Sequence, residues 1–174
     1  MSDPATKLIV PDPQGNFVKI TEIFRFHPPY EGEIPKEING ITLPADYVEF
    51  LRRHNGYYDM LGKYDGIIFP FDQRRKLLER FCWITLDDWD DVSPYDSRVL
   101  RSEEERKEIL KRFCSRNVII GADLSGYGDV VGIDMYGTYF IVDIYDVSGG
   151  TMEDICRVKH FSEVLEHLAR CAFY

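Results

Sequence analysis

The spacing of apolar and polar positions along the chain marks out a small set of elements. Lys7–Val10 and Phe17–Phe26 are strand-like stretches of aliphatic, β-branched and aromatic residues. Between them Pro11-Asp12-Pro13-Gln14-Gly15-Asn16 is dense in turn formers, which predicts an N-terminal hairpin over 7–26. His27-Pro28-Pro29-Tyr30 predicts an extended connection, because proline has no amide for a ladder and disfavours helix in the residue before it. The first strongly periodic helix is 44–54. Leu43, Tyr47, Phe50, Leu51 and His54 fall on one stripe at helical spacing, with Pro44 suited to the first turn and Asn55-Gly56 to the left-handed stop. His54, on the edge of that stripe, reads as a packed or capping side chain.

Further along, Gly66–Phe71 predicts a short strand, 72–82 a helix and 82–86 another strand. That strand runs into Thr85-Leu86-Asp87-Asp88, where Thr85 and Asp88 have the spacing of a capping box. Asp87, Asp88, Asp90 and Asp91 around Trp89 would then stand at a helix N-terminus, where the dipole favours carboxylates. Ser102 with Glu105 opens a second box, for a helix over 102–112. Asn117–Ile120, Val130–Met135 and Thr138–Tyr145 predict strands separated by glycine-containing turns, with Tyr136-Gly137 as a tight hairpin connection. A helix over 163–172, N-capped by Ser162, closes the chain. Helices, then an antiparallel block, then a helix argue for an α+β fold: a single domain with a twisted, mainly antiparallel sheet flanked by helices.

Composition supports that picture without sharpening it. The 174 residues are 44% apolar and 29% charged, which excludes collagen-like, disulfide-miniprotein and disordered classes. No apolar run approaches the roughly 18–20 residues of a membrane span, and the N-terminal apolar stretch is too short for a secretory signal. A soluble cytoplasmic protein is expected. Cys82, Cys114, Cys156 and Cys171 show no CxxC pairing and read as small core residues in a reducing compartment.

Charge is more informative. The net charge is −9, which argues against nucleic acid or an anionic membrane as the main partner. The excess is concentrated: 121–154 holds seven acids (Asp123, Asp129, Asp134, Asp143, Asp146, Glu153, Asp154) and no Lys or Arg, and 86–98 holds five Asp against one Arg. Such segments suit either a basic partner or solvated turns.

Enzymatic motifs fit poorly. Gly126-x-Gly128 leads into strand formers, whereas a dinucleotide fingerprint opens a helix. The same stretch laid on a calcium loop puts Tyr127 in a ligand position. His27, His54, His160 and His167 form no metal-binding spacing, and there is no GxSxG elbow. No cofactor or metal is expected. A carboxylate-based hydrolase using acids of 121–146 stays open, although nothing in the spacing selects a pair.

Two blocks together resemble the SUKH superfamily, which includes bacterial immunity proteins and fungal cell-wall regulators. The first is Glu37-Ile-Asn-Gly40-Ile-Thr-Leu43-Pro44-Ala-Asp46-Tyr47-Val-Glu-Phe50-Leu51, ending at Asn55-Gly56. The second runs from Ile120-Gly121-Ala-Asp123 through Gly126-Tyr-Gly128-Asp129, Ile133-Asp134 and Val142-Asp143-Ile144-Tyr145 to Phe161-Ser162-Glu-Val-Leu165 and Leu168. The resemblance covers roughly 34–172, with 57–116 a divergent middle segment. It implies structural duties for Leu43, Pro44, Tyr47, Asn55 and Gly56, and turns at Gly121, Gly126 and Gly128, with Asp129 bonding turn amides. It further implies a non-enzymatic protein-binding module, an immunity protein that occludes a cognate toxin, or else a regulatory scaffold of the eukaryotic type. A toxin with a basic surface would meet Asp87, Asp88, Trp89, Asp90 and Asp91 first, and Asp143 and Asp146 second, with Trp89 as an aromatic anchor.

Overall fold

The computed structural model describes residues 3, 5–59, 66–77, 104, 111, 115–123, 129–143 and 156–173. In chain order these form β1 (Ile9–Pro11), β2 (Phe17–Lys19), α1 (Ile20–Ile23), β3 (Phe24–Phe26), β4 (Glu37–Ile38), β5 (Ile41–Thr42) and α2 (Ala45–Arg53). There follow β6 (Tyr57–Asp59), β7 (Gly66–Ile68), β8 (Val118–Asp123), β9 (Asp129–Ile133), β10 (Tyr139–Asp143), β11 (Cys156–Val158) and α3 (Phe161–Cys171). The expected strand at 82–86 and the capping box at 85–88 lie outside the described residues. Of the two expected middle helices, residues 74–77, 104 and 111 are helical and the rest lie outside that set.

One seven-stranded sheet, ordered β11-β10-β9-β8-β7-β6-β3, carries the architecture, and every pairing in it is antiparallel. The fold is α+β, as the element order implies. Side chains alternate between faces with a period of two. Val118, Ile120, Val131, Ile133, Tyr139 and Ile141 join the main core with Tyr47, Phe50 and Leu51 of α2 and Phe161, Val164, Leu165 and Leu168 of α3. Ile119, Val130 and Phe140 are also buried but lie outside that cluster, so both faces of the central strands are covered. On that second face Gly132 is opposite Phe140, and a Cβ on it would stand 2.2 Å from the ring. The aromatic side chain fills the space that the glycine leaves.

Two expectations change in the strands. Gly121 is not a turn residue. It lies inside β8, where the register shifts between Ile119 and Gly121 and leaves Ile120 as the extra residue of a bulge. The stretch 17–26 is not one strand either. Ile20, Ile23 and Phe24 are all buried, a spacing that one helical turn satisfies and an extended strand would not. The chain therefore makes α1 between β2 and β3. β1 and β2 form a separate ribbon, β3 enters the main sheet, and β1 and α1 both pack on α3.

Two turns share one local design. In Asp12-Pro-Gln-Gly15-Asn16, Asp12 Oδ1 accepts from the amides of Gln14 (2.9 Å) and Asn16 (2.7 Å). In Asp134-Met-Tyr-Gly137-Thr138, Asp134 Oδ1 accepts from the amides of Tyr136 (2.9 Å) and Thr138 (3.0 Å). A third turn, Asn39-Gly40, joins β4 to β5 with both residues at positive φ, the chemistry of a two-residue hairpin.

α2 is entered through Pro44 and left through His54, as its pattern predicts. The proline-rich 27–35 segment holds no regular element and wraps the helix end: Tyr30 N donates to Leu51 O and Asn55 N to Pro28 O, both at 2.9 Å. Gly56 sits at φ +86°, and a Cβ there would stand 2.3 Å from Ile68 O. Gly137 has a similar φ of +76° but open space around it. Gly56→Ala is therefore expected to cost about 2–4 kcal/mol, from backbone strain plus a backbone clash, and Gly137→Ala about 1–2 kcal/mol. Urea unfolding of the two variants measures the difference, and equal midpoints would contradict it.

Candidate functional site

The register of the central strands gathers acidic positions at one end of the sheet. Asp129, the first residue of β9, is paired with Asp143, the last of β10. Ala122 is paired with Val130, which brings Asp123, the last residue of β8, level with Asp129. Three aspartates of three successive strands thus share one row, with about 5 Å between neighbouring strands.

The other acid of these strands, Asp134, is separate from that row. It is buried at the opposite end of β9, where its Oδ2 meets Arg157 Nη1 at 2.6 Å. Asp146, Gly126, Gly128 and the segment Asp87, Asp88, Trp89, Asp90, Asp91 lie outside the described residues.

A second constellation went unnoticed in the sequence. Asp46, one residue into α2, accepts through Oδ1 from the Tyr139 hydroxyl (2.5 Å) and from the amide of Tyr47 (2.9 Å). Its Oδ2 accepts from the amide of Phe161 at 2.7 Å. Burial first, then the hydrogen bond to Asp46 and that carboxylate's charge, push the Tyr139 hydroxyl far above its ordinary pKa, so it remains a donor. Around this carboxylate the Phe161 ring packs on Tyr47, Phe50 and Tyr139, with centroids 5.4, 4.6 and 5.6 Å away.

The clamp corrects the N-terminus of the last helix. α3 begins at Phe161 with His160 as its N-cap, two residues earlier than a Ser162 cap would place it. The Asp46 carboxylate supplies an acceptor to the first helical amide, and Glu163 turns back to the amides of His160 (2.9 Å) and Lys159 (3.1 Å). Only the acid after Leu43-Pro44, at the start of a helix, hinted at such a role.

Beside the clamp is a groove of about 200 Å³, with Ala5, Phe50, Phe161 and Leu165 as its apolar lining and Asp3, Glu49, Arg53 and His160 among its polar groups. Most of those polar groups already have partners. Arg53 pairs with Glu49 at 2.5 Å, and His54 Nε2 pairs with Asp3 next to the groove. His54 is thus a packed, paired side chain that ties the N-terminal segment to α2. Among the described residues, no group of three or more His, Cys, Asp or Glu could hold a metal ion, and no helix is long and apolar enough to cross a membrane.

Asn55 and Gly56 serve packing, as their place in the motif implies. Asn55 Oδ1 accepts from the amide of Phe71 and its Nδ2 donates to Asp72 Oδ1, both at 2.7 Å. Gly56 O accepts from His27 N at 3.0 Å. Leu43 and Tyr47 are buried in the core.

A family model, the SMI1 / KNR4 family (SUKH-1), matches residues 33–169. The chain belongs to that family, and the SUKH resemblance of its motifs is borne out. Comparisons with curated proteins and with solved structures return no match. The matched span starts after β3, yet β3 is a strand of the main sheet and Val10, Ile20, Ile23 and Phe24 belong to its core.

Asp46→Ala is expected to destabilise the fold by roughly 2–4 kcal/mol, because it removes the shared acceptor of three donors, whereas Tyr139→Phe should cost about 1–2 kcal/mol. Chemical denaturation of both variants checks the order, and a larger loss for Tyr139→Phe would contradict it. His27 gives a pH dependence. Its burial lowers the imidazole pKa from 6.5, with Asp72 opposing the shift. Above pH 6.5 both states are neutral and the contribution is fully present. As pH falls below that, the unfolded chain takes up the proton first, and stability is lost down through the lowered folded pKa. His27→Gln is expected to flatten this part of the stability–pH curve, and an unchanged slope would count against it.

Proposed function

We propose that this chain is a non-enzymatic protein-binding module of the immunity type, acting in the cytoplasm, which neutralises a cognate toxin by covering its active site or substrate groove. Family membership supports a module whose work is protein contact. The aligned row of Asp123, Asp129 and Asp143 is the observation that carries the reading further. It lies in a stretch, 121–154, without a single Lys or Arg, so no basic side chain of that stretch offsets it. The partner it suits has a basic surface, such as the groove of a nuclease.

The segment Asp87, Asp88, Trp89, Asp90 and Asp91 is the first contact surface in this reading, and Asp143 with Asp146 the second. Trp89 supplies apolar contact area among charges that speed encounter. Occlusion requires no chemistry from the bound protein, only a pre-folded surface and complementary charge, and it weakens as salt screens that charge.

Affinity capture from the native cell extract, eluted with a salt gradient, tests the proposal. One dominant toxin-like partner that elutes sharply with salt is expected, and Asp88→Lys with Asp91→Lys should weaken its binding about tenfold or more at an unchanged melting temperature. Unchanged affinity in titration calorimetry would remove the 87–91 segment. A broad set of weak interactors would overturn the immunity reading in favour of a regulatory scaffold.

A further inference from the structure

The chain contains two Asn-Gly pairs, Asn39-Gly40 and Asn55-Gly56, and the fold treats them in opposite ways. Asparagine followed by glycine is prone to succinimide formation, because glycine has no side chain to keep its amide nitrogen away from the asparagine Cγ. The reaction needs that nitrogen accessible and a backbone free to rotate the two groups together.

Asn55-Gly56 is locked against it. Asn55 Oδ1 accepts from the amide of Phe71 and its Nδ2 donates to Asp72 Oδ1, both at 2.7 Å. The Gly56 amide donates to His54 O at 2.8 Å, and Gly56 itself is buried against Ile68 O. Rotation of either residue would break these bonds and press the chain into its neighbour.

Asn39-Gly40 is placed otherwise. Both residues are exposed, at φ +52° and +75°, and nothing lies within 4 Å of where a Gly40 Cβ would stand. Among the described residues no hydrogen bond engages the Gly40 amide. β4 and β5 are two residues each and form a ribbon of their own, apart from the seven-stranded sheet. A ribbon that short is marginal, so its tip opens while the rest of the fold stays closed. Opening frees the Asn39 backbone to rotate until its Cγ meets the Gly40 nitrogen.

We propose that Asn39 is a site of spontaneous deamidation in the folded chain. The Gly40 nitrogen gives its proton to solvent and bonds to Asn39 Cγ. The Cγ–Nδ2 bond breaks, Nδ2 takes a proton and leaves as ammonia, and a succinimide ring remains. Water then opens the ring, at Cγ to give aspartate or at the main-chain carbonyl to give isoaspartate. Water is consumed, ammonia is released, the chain gains one negative charge and nothing is oxidised or reduced. Isoaspartate routes the main chain through an extra methylene, which a two-residue turn does not accommodate, so the Ile38–Ile41 pairing is lost. Ile41 is a core residue, and the next bond of the hairpin, Leu43 N to Lys36 O at 3.0 Å, lies directly before α2. The modification therefore loosens the entrance to α2.

The whole chain, held folded at mildly alkaline pH and sampled at intervals, is digested and read by mass spectrometry. The peptide containing Asn39 is expected to gain the mass of one deamidation, as two isomers, about tenfold or more faster than the peptide containing Asn55. In concentrated urea the two pairs should react at similar rates, because only folding separates them. Asn39→Gly, which tolerates positive φ, should remove the product and keep the melting temperature. A folded chain that keeps Asn39 intact, or loses Asn55 as fast, would overturn the proposal, as would a rate difference that persists in urea. Hydrogen exchange reads the consequence: the isoaspartate form should exchange faster at the Leu43 amide than the unmodified chain, with α3 equally protected in both. Equal exchange at Leu43 would overturn the loosening of α2. No partner takes part, so this test and the capture of a partner succeed or fail separately.

Discussion

The Asp46 carboxylate is the joint on which the fold depends. It reaches the Tyr139 hydroxyl 93 residues away and the Phe161 amide 115 residues away, and so fixes the start of α2 and the start of α3 to one strand of the sheet. A carboxylate in partly buried surroundings is costly without donors and strongly held with three. The Phe161 ring, packed on Tyr47, Phe50 and Tyr139, adds apolar area around the same joint. Once both helices are seated, the apolar faces of β8, β9 and β10 have something to pack against, and the register of those strands is pinned by their two-residue alternation.

That register gives the molecule its polarity. Antiparallel pairing carries Asp123, Asp129 and Asp143 to one end of the central strands and the Asp134 turn, Arg157 and Lys159 to the other. The groove beside the clamp has its charges largely paired within the chain.

The N-terminal segment shows how a local reading meets its limit. Its apolar residues look like a strand because Phe, Val and Ile favour strands. They make a helical turn because Ile20, Ile23 and Phe24 all have to reach a core built by residues far along the chain. Propensity is a local preference, and the core outweighed it. Ser162 gives the same lesson at the other terminus. A serine before an amphipathic run is a good cap, yet Asp46 reaches the amide of Phe161 and the helix starts earlier.

The sequence alone determined whatever depends on near neighbours. Pro44 and Asn55-Gly56 delimited α2, apolar periodicity marked its buried stripe, Tyr136-Gly137 marked the β9–β10 turn, and two short motifs marked the family. Tertiary structure decided whatever depends on pairing across the chain. Which aspartates stand level with one another, which carboxylate joins two helices to a strand, and that Gly121 belongs inside a bulged strand all follow from strand register and helix docking. These are set by pairing between strands and, for Asp46, by bonds across 93 and 115 residues, neither of which local propensity fixes.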